Sequence, residues 1–186
     1  MKRCRLLLCV SWVLVAAMAK GHDLQATRVS VVLHEQHSVA LSLYLDFAGL
    51  LQHQMAPNAN INEFLVALAA QPATVVETPL ATLRKQVETE LVLRSRGSTL
   101  TLSHWQWPSA KVIHAALRER LMASVVAADD EAEDSRLLVK AESADPLRIE
   151  RLSIELPELI KPAVVVSYRP QQTLVAPKDG ARLLEF

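Results

Sequence analysis

The sequence predicts an α+β fold, mostly antiparallel β and sandwich-like, with two or three inserted helices. Three observations carry this reading. Segments toward both ends alternate apolar and polar residues with a period of two, the mark of half-buried strands. Stretches in the middle repeat their apolar residues at helical spacing. No internal repeat or linker divides the chain, so strands and helices share one core.

The elements follow in order. Residues 24–33, LQATRVSVVL, alternate with Leu24, Ala26, Val29, Val31 and Leu33 on one side. Residues 38–47, SVALSLYLDF, alternate more cleanly, with Val39, Leu41, Leu43, Leu45 and Phe47 on one face. The polar stretch His34-Glu35-Gln36-His37 makes them a hairpin. Residues 48–60 end in Pro57, Asn58 and Asn60 and read as a turn region. Asn62 is the expected N-cap of a helix whose buried face is Phe64, Leu65, Leu68 and Ala69, closed by Pro72. Thr78-Pro79 opens a second helix, since proline suits the first helical turn; Leu80, Leu83 and Val87 are its inner face.

Residues 89–95 and 99–107 form a second hairpin pattern around Arg96-Gly97-Ser98. Residues 111–126 are expected to be a third helix, with Val112, Ile113, Ala116, Leu117, Leu121 and Val125 along one stripe. The acidic run 129–135 is a solvated loop. Strand character returns at 136–142, 147–155, 163–168 and 172–176. Pro146, Pro157, Pro162, Pro170 and Pro177 punctuate these strands as edges and turns.

The first residues carry a different signal. Lys2, Arg3 and Arg5 precede the apolar run Leu6–Ala16, and small residues follow. The run is shorter than the roughly 20 residues a bilayer span needs. It has the layout of a secretory signal peptide. Residues 1–21 are therefore expected to be cleaved, after Ala19 or after Gly21, leaving 22–186 as a single periplasmic domain. Leu8 before Cys9 argues against a lipoprotein. Both cysteines, Cys4 and Cys9, lie in the leader, so the mature chain goes to a disulfide-permissive compartment with no thiol. Its stability must come from burial, and about 165 residues suffice to bury around 70% of the unfolded surface.

The leader holds three of the 20 basic residues and none of the 20 acidic ones. The mature net charge is −3, or −4 if Lys20 is also removed. A mildly acidic domain is a poor partner for nucleic acid or anionic lipid. No later apolar run reaches 18 residues, so no transmembrane segment is expected in the mature chain. The terminal Phe186 invites an outer-membrane barrel, but three Trp, two Tyr and three Phe cannot build two aromatic girdles.

Candidate chemistry is sparse. The six histidines, His22, His34, His37, His53, His104 and His114, show no zinc-finger or HExxH spacing. His34 and His37 would meet at the hairpin tip, where solvated turn residues are the simpler expectation. If cleavage falls after Gly21, the free amine and imidazole of His22 could chelate copper or nickel. Pairing residue 34 with 37 sets residue 22 opposite 49, so the nearest further ligands are Asp46, His53 and Met55, while His34 and His37 lie roughly 30 Å off.

Trp105 and Trp107 in HWQWP share one strand face; core packing is the expected role and a sugar-stacking platform the alternative. No GxSxG elbow, phosphate-cradling glycine loop or EF-hand pattern occurs. The sequence therefore assigns no catalytic, cofactor-binding or metal residue.

The order of features resembles the extracytoplasmic domain that precedes, or is encoded beside, HupE/UreJ-type membrane proteins, a group linked to nickel and cobalt uptake. The stretches that carry the resemblance are His22-Asp23-Leu24 after the leader, LYLDFAGLL at 43–51, NANINEF at 58–64, LRKQVETELVLRSRGSTLTL at 83–102 and VVVSYRPQQ at 164–172. The chain departs from that pattern by carrying Asn58, Asn60 and Asn62 in place of an acidic, glycine-containing turn. It also lacks the membrane segments. The resemblance implies a protein partner in the inner membrane or periplasm. The expected function is a non-enzymatic periplasmic accessory or interaction module. The alternatives are a copper or nickel carrier built on His22 and a hydrolase of unknown type.

Overall fold

The computed structural model describes residues 27–34, 37–126, 136–145 and 148–170. The leader, the acidic run 129–135 and the segment 172–176 lie outside the described residues, as does His22.

The α+β class holds. Strand β1 (Thr27–His34) and strand β2 (Ser38–Leu45) form the expected hairpin. The pairing is one residue away from the expected one: His34 stands opposite Ser38. The reason is that His37 belongs to the turn, donating its amide to the His34 carbonyl (3.1 Å) and accepting the Asp145 amide (2.7 Å).

β2 ends before Phe47. Asp46 accepts the Ala48 amide (3.1 Å) and caps helix α1 (Phe47–Met55), which the sequence reading took as strand end and turn. Phe47, Ala48 and Leu51 supply its buried side. The prolines and asparagines that suggested a turn come only after it. Helix α2 (Ile61–Ala69) is capped by Asn60, whose side chain accepts the Asn62 amide (2.9 Å), so the cap is Asn60 and not Asn62. A short 3-10 turn (Ala73–Val76) leads into helix α3 (Glu77–Glu90), with Leu80, Leu83 and Val87 buried as expected.

Strands β3 (Val92–Ser95) and β4 (Ser98–Leu100) are joined by Arg96-Gly97, with φ of 52° and 84°. Two consecutive positive φ values make the hairpin turn whose twist matches its strands. Strand β5 (Ser103–Gln106) leaves that hairpin for the larger sheet. Helix α4 (Ala110–Val126) follows, then strands β6 (Leu137–Ala144), β7 (Leu152–Glu155) and β8 (Ala163–Tyr168). On α4 the expected stripe is shifted: Ile113, His114 and Leu117 are buried, while Val112 is exposed. Among the described residues four helices are present, against the two or three that the periodicity predicts, because the Pro- and Asn-rich end of 48–60 masks α1.

The larger sheet runs β5-β6-β2-β1-β8 and the smaller β4-β3-β7. All strand pairs are antiparallel except β1 with β8. Val29, Leu41, Leu43, Leu45 and Val139 point from one face of the larger sheet into a core shared with Leu51, Leu65 and Leu68 of the helices and Leu93 of the smaller sheet. Each fully buried leucine contributes about 1.5–3 kcal/mol relative to exposure, which is how a domain without disulfides is held together. The opposite face carries Arg28, Lys140 and Glu142 toward solvent. Among the described residues no helix is long and apolar enough to cross a membrane.

Candidate docking site at the β8 edge

The two edges of the larger sheet are built differently. An open strand edge is a template for pairing with another chain, and proteins usually blunt it with bulges, charges or prolines. β5 is blunted. It meets β6 only at Ser103 and Gln106, with an irregularity between them, and His104 sits there at φ 52°. β8 is continuous over six residues, AVVVSY, with no charge, proline or bulge inside it. Val164, Val165 and Tyr168 are 43%, 41% and 44% exposed.

The phase of β8 follows from its contact with β1. The Thr27 amide donates to the Pro162 carbonyl (3.1 Å), and Thr27 through Val32 stand beside Ala163 through Tyr168. In a strand the N–H and C=O of one residue point to the same side, so Val164, Val166 and Tyr168 turn theirs toward β1. Ala163, Val165 and Ser167 turn theirs outward. Among the described residues nothing pairs with them.

Behind this edge lies a cavity of about 410 Å³ between the sheets. Val31, Leu33, Ile149, Leu152, Ile154 and Val165 make it mainly apolar. Its rim is charged: Arg169 donates to the Glu150 carbonyl (3.0 Å), and the Glu150 carboxylate lies 3.8 Å from Arg96. Edge and cavity together can accept an extended segment, with backbone groups bonding to the edge and alternate side chains entering the cavity.

The residues singled out from sequence are dispersed. His34 ends β1 and His37 lies in the turn, both exposed, and His53 is exposed on α1. His114 is buried, with Nε2 3.3 Å from the Leu68 carbonyl. His34 and His104 line a separate open cavity of about 430 Å³ with Glu142 and Ser143, a grouping the sequence spacing did not suggest. Among the described residues no three His, Cys, Asp or Glu side chains gather to hold a metal ion. Asp46 is already engaged, receiving Arg120 (2.7 Å) as well as the α1 amide.

Trp105 and Trp107 stack at 6.0 Å and are half-buried, packed against the core. Phe47 packs edge-on to Trp107 (6.4 Å), the Arg84 guanidinium lies 5.8 Å from the ring, and the indole donates to Glu88 (2.8 Å). The pair locks β5 against α1 and α3, as the packing expectation held.

The strand at 163–168 and its flanking prolines were expected from the sequence; its place at the open edge of the larger sheet was not. Its signal was present: VVVS breaks the period-two alternation expected of a strand with one wet face, between Lys161-Pro162 and Arg169-Pro170. Comparison with family models, with curated proteins and with solved structures gives no match.

Proposed function

We propose that this chain is a non-enzymatic accessory module of the periplasm that docks an inner-membrane protein partner along β8. The observation that supports it most is the difference between the two sheet edges: β5 is broken and β8 is open, apolar and backed by a cavity. An apolar strand edge left uncovered is an aggregation hazard, so an occupant best accounts for it. The periplasmic address rests on the leader. The inner-membrane partner, of the metal-transport type, rests on the resemblance described above.

The test is site-specific photo-crosslinking in producing cells. A photoreactive amino acid replaces Val165, or Val66 on α2, which is 57% exposed and remote in sequence from the edge. The proposal expects one discrete membrane-protein adduct from position 165 and none from position 66. Absence of any adduct at 165, or equal labelling at both positions, overturns it.

A further inference from the structure

We infer that the cavity behind β8 is a binding site for a single-chain aliphatic carboxylate, with the hydrocarbon between the two sheets and the carboxylate at Arg169. The inference goes beyond the docking role: the acid lies inside the cavity, and the outward amides of Ala163, Val165 and Ser167 stay free for a partner. Protein interiors leave few voids larger than a water molecule. Here about 410 Å³ is open between the larger and the smaller sheet, within the size range of small-molecule sites. Val31 and Ile149 line it as part of the core, while Leu33, Leu152 and Ile154 are only half-buried and Val165 is 41% exposed. The walls are branched aliphatic surface that an unbranched chain can cover, and covering it is favourable in proportion to its area.

Charge fixes the head group. Among the described residues Arg169 is the one cation lining the cavity and Glu150 the one anion. The Glu150 carboxylate lies 3.8 Å from Arg96, which does not line the cavity, so its charge is already met. Lys161 and Arg94 are likewise matched, with Glu158 and Glu155 at 3.0 Å. Arg169 gives one N–H to the Glu150 carbonyl (3.0 Å), and among the described residues no carboxylate pairs with it. The rest of its guanidinium fork fits a carboxylate. Ser167, in the phase of Val165, adds a hydroxyl on the same side. A monoanion matches this single open cation, whereas a phosphate would bring a second charge toward Glu150.

The probe is decanoate, titrated by calorimetry into the mature protein beside decanol and decylammonium of the same chain length. Decanoate is expected to bind one-to-one and about fivefold more tightly than decanol, with the gap narrowing as salt is raised and decylammonium the weakest. Octanoate should bind more weakly than decanoate, by up to about fourfold for each methylene removed. Arg169→Gln, at an exposed side chain, is expected to level decanoate with decanol while keeping the dependence on chain length. Val165→Trp introduces a side chain that suits a strand and fills the cavity, so it should abolish binding of both. Should that variant fail to fold, Arg169→Gln is read alone.

No saturable binding of decanoate, or equal affinity for decanoate and decanol in the unaltered protein, overturns the inference. Binding that emerges only when residues 171–186 are deleted would assign the cavity to the chain's own tail, and overturns it as well. The docking role is read separately. Decanoate binding without a Val165 crosslink leaves the inference standing and removes the docking role. A crosslink without decanoate binding does the reverse.

Discussion

Asp46 joins the sheet to the helical layer, and its removal has a calculable effect. Its carboxylate accepts the Ala48 amide at 3.1 Å and Arg120 at 2.7 Å, which ties the start of α1 to α4. Replacing a capping Asp by Ala costs about 1 kcal/mol. The ion pair is partly screened, with 26% of the Arg120 and 42% of the Asp46 side chain exposed, so it adds only about 0.5 kcal/mol. Asp46→Ala should therefore lose about 1.5 kcal/mol. For a domain of this size that lowers Tm by roughly 3–6 °C. Asp46→Asn keeps a capping oxygen and loses only the charge, so its Tm should fall by about 1–2 °C. Thermal unfolding of both variants, followed by circular dichroism, separates the two contributions. Equal losses in Ala and Asn would refute capping as the main role. An unchanged Asp46→Ala would refute the reasoning altogether.

Arg96→Asn should stabilise the chain by about 0.5 kcal/mol in urea titration. Asn tolerates the positive φ and Asn-Gly suits this turn, whereas the exposed 3.8 Å contact with Glu150 contributes little. Ser143→Ala should raise stability by about 1 kcal/mol, because the buried Ser143 hydroxyl has no hydrogen-bond partner among the described residues; a loss would mean that it is bonded in solution. N-terminal sequencing of exported protein should read Lys20 or His22 first. Full-length chain in the cytosol would remove the basis of the periplasmic proposal.

The strong periodicities were legible in the sequence. Val39 to Leu45 declared one buried face, and Leu80, Leu83 and Val87 another, because each pattern repeats over enough residues to define its period. α1 was hidden because its short apolar stretch abuts the β2 alternation: Phe47 continues a period of two and also starts a helix. What separates the readings is the Asp46 carboxylate, fixed by α4 from 74 residues away. Val112 shows the same limit. The sequence placed it on an apolar stripe, but the inward direction of α4 is set by packing against α2, which admits His114 instead. The edge position of β8 was only partly legible: its apolar run was visible, but its neighbour was not. The alternation of AVVVSY could not reveal that β8 pairs in parallel with β1, since a parallel neighbour is chosen by connections across the whole chain.

Residue-resolved amide hydrogen exchange on the free mature protein tests the open edge most directly. The account predicts slow exchange at Val166 and Tyr168, which bond to β1, and fast exchange at Val165 and Ser167, which face outward. Uniform protection along all of β8 would contradict it, because the edge would then already be occupied.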